Sequence, residues 1–112
     1  MKSTERAASV SKSTVFFDRH ELRAILTLYG KMVAAGEWRD YAMDALSDRA
    51  VFSIFRRTSE APLYQVEKRP QEARRQGLYA VVTPAGFVLR RGHELGRVLE
   101  VLEPRRMRVV EL

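Results

Sequence analysis

RAVFSIFRRTSEAPLYQVEKRPQEARRQGLYAVVTPAGFVLRR, residues 49–91, reads as four short strands separated by turn residues. Over 49–57, Val51, Phe52, Ile54 and Phe55 put β-forming side chains on both faces, the pattern of a strand with neighbours on either side. After a turn around Ser59–Pro62, residues 63–69 alternate Tyr64 and Val66 against Gln65 and Glu67, as a half-buried strand does, and Pro70 ends the run. Gln71–Gly77 is a polar, arginine-bearing connection with room for one helical turn. It leads to a strand over 78–82. Thr83-Pro84-Ala85-Gly86 then reverses the chain into a strand over 87–91, with proline presetting φ and glycine free to take a positive one. The expectation is an antiparallel meander.

Upstream, Asp18 is placed as an N-cap with Glu21 three residues on, completing a capping box, and Leu22 can staple back to Phe17. Leu22, Ile25, Leu26, Tyr29, Met32 and Val33 follow at helical spacing and predict one buried face, with Gly36 as the stop. On that reading Leu26→Ala costs about 2–5 kcal/mol. Residues 38–46 fit either a helix or a short strand, and the strand reading is preferred. Downstream, Leu95, Val98, Leu99 and Leu102 recur at helical intervals behind Gly92, which predicts a second, shorter helix to about Glu103, stopped by Pro104. Met107, Val109 and Val110 suit one last short strand or an arm. The fold class is therefore α+β: a meander of four to six strands, a long N-terminal helix and a shorter C-terminal one.

Composition bounds the rest. Residues 1–15 are small and polar without an apolar period and read as a disordered tail, which leaves 16–112 as a single domain. The chain has no cysteine, which excludes disulfides, thiolate metal sites and thiol nucleophiles and suits a reducing compartment. No apolar run approaches the roughly 20 residues of a membrane span, and no secretory stretch opens the sequence. A cytoplasmic protein without a membrane partner is expected. Of the 20 basic residues behind the net charge of +6, sixteen are arginine. Residues 49–91 hold nine basic and three acidic side chains, and so carry the whole excess.

The runs LYGKMVAAGEWRDYAMD (28–44), DRAVFSIFRR (48–57), PLYQVEKRP (62–70), ARRQG (73–77) and RRGHEL (90–95) resemble an uncharacterised family of small alphaproteobacterial proteins, a domain of unknown function. The resemblance covers about residues 17–103. It implies a free-standing bacterial protein and brings no activity, cofactor or site residue with it.

Three functional readings follow from the residues. In a meander, strand ends alternate between the two edges, so Arg49, Lys68, Arg69, Arg74, Arg75, Arg90 and Arg91 gather at one end, beside the start of the second helix at His93. This suggests an anion site built from Arg69, Arg74, Arg75, Arg90, Arg91 and His93, for nucleic acid or another phosphate-bearing ligand. A protein-interaction or homodimer surface is the alternative, drawn from Trp38, Arg39 and Tyr41, residue types enriched at binding hot spots. The enzyme reading ranks last. His20-Glu21 and His93-Glu94 each open a predicted helix, but neither has the second histidine that a zinc helix requires, and no nucleophile or phosphate-loop spacing occurs. No catalytic residue, metal site or cofactor is assigned.

Overall fold

The computed structural model describes residues 14–57 and 61–103. Helix α1 (Arg19–Ala34) is followed by strands β1 (Asp40–Ala45), β2 (Ala50–Phe55), β3 (Tyr64–Lys68), β4 (Tyr79–Val82) and β5 (Val88–Gly92), and by helix α2 (Leu95–Leu99), which runs on into a 3-10 turn, Glu100–Leu102. The strands form one antiparallel sheet in sequential order, β1-β2-β3-β4-β5. The α+β meander is thus present with five strands, and residues 38–46 resolve in favour of the strand. Of the tail expected over 1–15, residues 1–13 lie outside the described residues, as does the segment containing Met107, Val109 and Val110, whereas Val15 is tied to the fold by its N–H, which donates to the Leu46 carbonyl at 2.8 Å.

Local chemistry sets the ends of α1. The Asp18 carboxylate accepts from the Glu21 backbone N–H at 2.8 Å, and the Asp18 N–H donates back to Glu21 Oε1 at 2.7 Å. At the other end Gly36, with φ of 79°, lets its own N–H reach the Val33 carbonyl and the Glu37 N–H reach that of Met32. That pair of bonds closes the helix in a Schellman motif.

One side of the sheet carries the core. Phe52 and Ile54 of β2, Val66 of β3 and Tyr79 and Val81 of β4 meet Ile25, Leu28 and Met32 of α1 and Leu95, Val98, Leu99 and Leu102 from the C-terminal helical segment. The buried stripe of α1 differs from the predicted one. It contains Leu28, 5% exposed, and leaves out Leu26, 38% exposed, and Val33. The apolar residues of α1 span an arc wider than this small sheet covers, so the helix settles with Glu21, Ile25, Leu28 and Met32 inward. The loss of about 2–5 kcal/mol for a buried leucine cut to alanine belongs to Leu28→Ala.

Glu21 is the charged member of that stripe. Its carboxylate accepts from Lys68 Nζ at 2.8 Å and from the Tyr79 hydroxyl through a short hydrogen bond. Lys68 and Tyr79 are partners across the β3–β4 ladder, so one carboxylate ties the first turn of α1 to two strands. Burial first, and then the bond to Glu21, raises the Tyr79 pKa above the ordinary value of a phenol.

Candidate anion-binding groove

Alternation along the strands sends the other set of side chains to the opposite face of the sheet. Among the described residues no α-helix packs there, and a 3-10 turn, Pro70–Glu72, borders it through Glu72. The registers align Asp44, Val51, Glu67, Ala80 and Arg91 in one row across the five strands, and Ala42, Ser53, Gln65, Val82 and Val88 in the next. Gln65 Nε2 donates to Ser53 Oγ at 3.0 Å, which joins β2 to β3 across the second row. A polar groove of about 390 Å³ runs along β4, with Gln65, Glu67 and Arg69 on one bank, Val88 and Arg91 on the other, and the 72–76 loop and the 83–86 turn at its ends.

The β3–β4 loop reaches this groove because of Gly77. Its φ is +121°, and a Cβ built there would sit 2.7 Å from backbone atoms of Gly92. Only glycine allows that approach. It presses the loop carrying Arg74, Arg75 and Gln76 against the end of β5, where Arg91 and His93 lie.

The basic residues do gather at this end of the sheet, but the two faces and several acidic neighbours divide them. Lys68 turns to the helical side and is held by Glu21 and by the Phe16 carbonyl, to which its Nζ donates at 2.8 Å. Arg90 is also on that side, donating to the Arg97 carbonyl at 2.8 Å and lying 3.9 Å from Glu100. On the open face Arg69 donates to Glu67 at 2.8 Å and reaches Asp48 at 3.4 Å. The bond to Glu67, ahead of every other influence, raises the Arg69 pKa above its ordinary value. Arg49 Nη1 donates to Asp48 at 3.1 Å, while its Nε is buried 3.9 Å from Glu67 without a hydrogen bond.

Arg91 stands apart. It lies across from Glu67 with only the small Ala80 between them, yet Glu67 is already engaged by Arg69. Arg91 Nη1 is buried and has no hydrogen-bond partner among the described residues. An unpartnered buried donor costs about 1–3 kcal/mol, and Arg49 Nε is the other such atom among the described residues. Arg74 and Arg75 are exposed on the loop beside Arg91. Arg69, Arg91, Glu67 and Glu72 line the groove itself, and Arg49 and Asp48 pair beside Glu67.

The remaining sequence candidates separate. His93 is exposed, and the helix behind it has only five residues, with Glu94 at its N-cap making no capping bond and pairing instead with Arg97 at 2.9 Å. So short a helix has little dipole to offer an anion. Trp38 is 5% exposed and packs in the core near Tyr29, so it has almost no surface for a partner. Arg39 is exposed, and Tyr41 lies partly open at the edge of the sheet, stacked on Phe52. His20 is exposed while Glu21 beside it is buried, and among the described residues no three His, Cys, Asp or Glu side chains converge as a metal site. Sequence reasoning missed Gln65, Gln76 and Thr83 as groove residues. The alternation of β3 already set Gln65 apart from Tyr64, but which face stays open depends on where the helices dock.

Fold and groove together define a small α+β domain, a five-stranded meander backed on one face by two helices. Within that class, the chain belongs to the family described as "Protein of unknown function (DUF2794)", whose model matches residues 15–99. No curated protein and no solved structure matches it. No helix among the described residues is long and apolar enough to cross a membrane.

Proposed function

We propose that this chain is a non-enzymatic binding module of the bacterial cytoplasm that contacts a phosphate-bearing ligand, nucleic acid among them, through the groove around Arg91. The observation that carries the reading is Arg91 Nη1, buried without an acceptor among the described residues on a polar groove, one end of which is formed by the loop that carries the exposed Arg74 and Arg75. A guanidinium fork matches phosphate oxygens in a bidentate geometry, and its weak hydration makes partial burial tolerable. Arg69 acts here as a support, because its acidic neighbours hold it, and Arg90 faces the other side of the sheet.

Fluorescence anisotropy with single-stranded RNA and with inorganic polyphosphate, titrated at several salt concentrations, tests the reading. Three arginine contacts to a single strand predict a log–log salt slope of about −2. Arg74→Gln with Arg75→Gln lowers that slope to about −0.7. Arg91→Gln weakens binding while leaving the thermal midpoint unchanged or higher, since it removes an unsatisfied donor. Absence of binding by both probes at the lowest salt refutes the proposal.

A further inference from the structure

On the edge of the sheet away from the groove, the exposed part of α1 and the outer strand β1 form one apolar seam. Leu22, Leu26, Tyr29 and Val33 recur at i, i+4, i+7 and i+11, a single stripe along the helix. Tyr41 of β1 meets Tyr29 edge to face with ring centroids 4.9 Å apart, and Met43, 47% exposed, lies in the same shallow cavity as Leu22. Leu26, Val33, Tyr41 and Met43 are exposed along this strip, with Leu22 and Tyr29 half-buried between them, and so continuous an apolar surface has the composition of an interface core rather than of a solvated surface.

We infer that a second copy of this chain covers the seam, with the two α1 helices packed antiparallel about a two-fold axis. Charge selects this occupant. Arg19 and Arg23 flank Leu22 and Leu26 in the first turns of α1, where the helix dipole is positive and a cation is unfavourable. Neither ends in an ion pair among the described residues. Antiparallel packing brings them to the negative C-terminal end of the partner helix, where Glu37, which pairs with Arg56 of its own chain at 3.7 Å through Oε1, is half exposed and adds a second acidic group to the dipole. The same patch thus supplies both halves of the contact, as a two-fold interface requires. The other flank of α1 is unavailable, since Lys31 there pairs with Glu103 at 3.6 Å.

Analytical ultracentrifugation of the full chain tests the inference and predicts a species of about 26 kDa, twice the 12.9 kDa of one chain. Leu26→Glu combined with Met43→Glu alters two exposed positions and yields a monomer with an unchanged circular dichroism spectrum. Phe87→Glu, just before the outer strand at the other edge, leaves the dimer intact. Because the chain has no cysteine, Leu26→Cys at the middle of α1 provides a second readout that does not depend on the glutamate variants folding. Helices packed 8–10 Å apart bring that position within disulfide reach, so mild oxidation cross-links it, whereas Val88→Cys stays single. A monomeric wild type that fails to cross-link at Leu26→Cys overturns the inference. So does a dimer that survives the double glutamate variant, or one abolished by Phe87→Glu. Loss of the dimer leaves the Arg91 reading untouched, because the groove lies between β3 and β5.

Discussion

Glu21→Gln is the sharpest perturbation of the fold, because it keeps the shape of the side chain while removing its charge and turning the oxygen that accepts from the Tyr79 hydroxyl into an NH2 donor. The glutamine oxygen can still accept from the Asp18 N–H, so the capping box survives in part, and helix propensity hardly changes. What is lost as well is the counter-charge of Lys68. The side chains of Glu21 and Lys68 are 9% and 16% exposed, which places the pair among buried rather than surface bridges. A surface pair is worth about 0–1 kcal/mol, whereas removing one member of a buried pair costs about 3–5 kcal/mol because the other charge stays desolvated. Lys68 keeps its bond to the Phe16 carbonyl and a little access to solvent, so the lower end, about 3 kcal/mol, is expected. For a domain of this size that lowers Tm by about 12–24 °C. Thermal and urea denaturation followed by circular dichroism measure it. Lys68→Met introduced into Glu21→Gln should recover about 1–3 kcal/mol, because it removes the stranded charge. A Glu21→Gln variant within about 0.5 kcal/mol of wild type, the range of ordinary surface changes, refutes the reasoning.

Tyr79 supplies a pH dependence. Its pKa is higher in the folded chain than the ordinary 10.0, so the folded state holds the proton more tightly. That stabilisation is complete below pH 10 and is lost as pH rises above it. Wild-type stability therefore falls at alkaline pH more steeply than that of Tyr79→Phe, and parallel curves for the two would refute the coupling. Gly77→Ala forces a Cβ to within 2.7 Å of the Gly92 backbone at a φ of +121°, and should cost at least about 1–3 kcal/mol by urea denaturation. Gly36→Ala, where the added Cβ meets nothing within 4 Å, should cost less.

How much of this was legible in the sequence follows from the range of the interactions involved. Asp18, Glu21 and Gly36 are read correctly because a cap is decided within four residues of chain. The strands over 49–91 and the Thr83–Gly86 turn are read correctly for the same reason, since period-two alternation and turn chemistry are local. The grouping of basic residues at one end of the sheet also follows from connectivity alone.

What the tertiary structure decides is which of two plausible partners each side chain takes. Glu21 is visible in the sequence as a capping residue, but only the β3–β4 register places Lys68 and Tyr79 side by side to receive it. The sequence supplies a run of arginines; docking both helices on one face sends Lys68 and Arg90 toward one set of acceptors and leaves Arg91 on the other face without one. Likewise the apolar residues of α1 look like a single core stripe, yet a five-stranded sheet buries Ile25, Leu28 and Met32 and leaves Leu26 and Val33 at the surface. Periodicity records that a side chain is apolar or charged. Burial depends on the area of the surface it meets, and that is set only when distant segments pack.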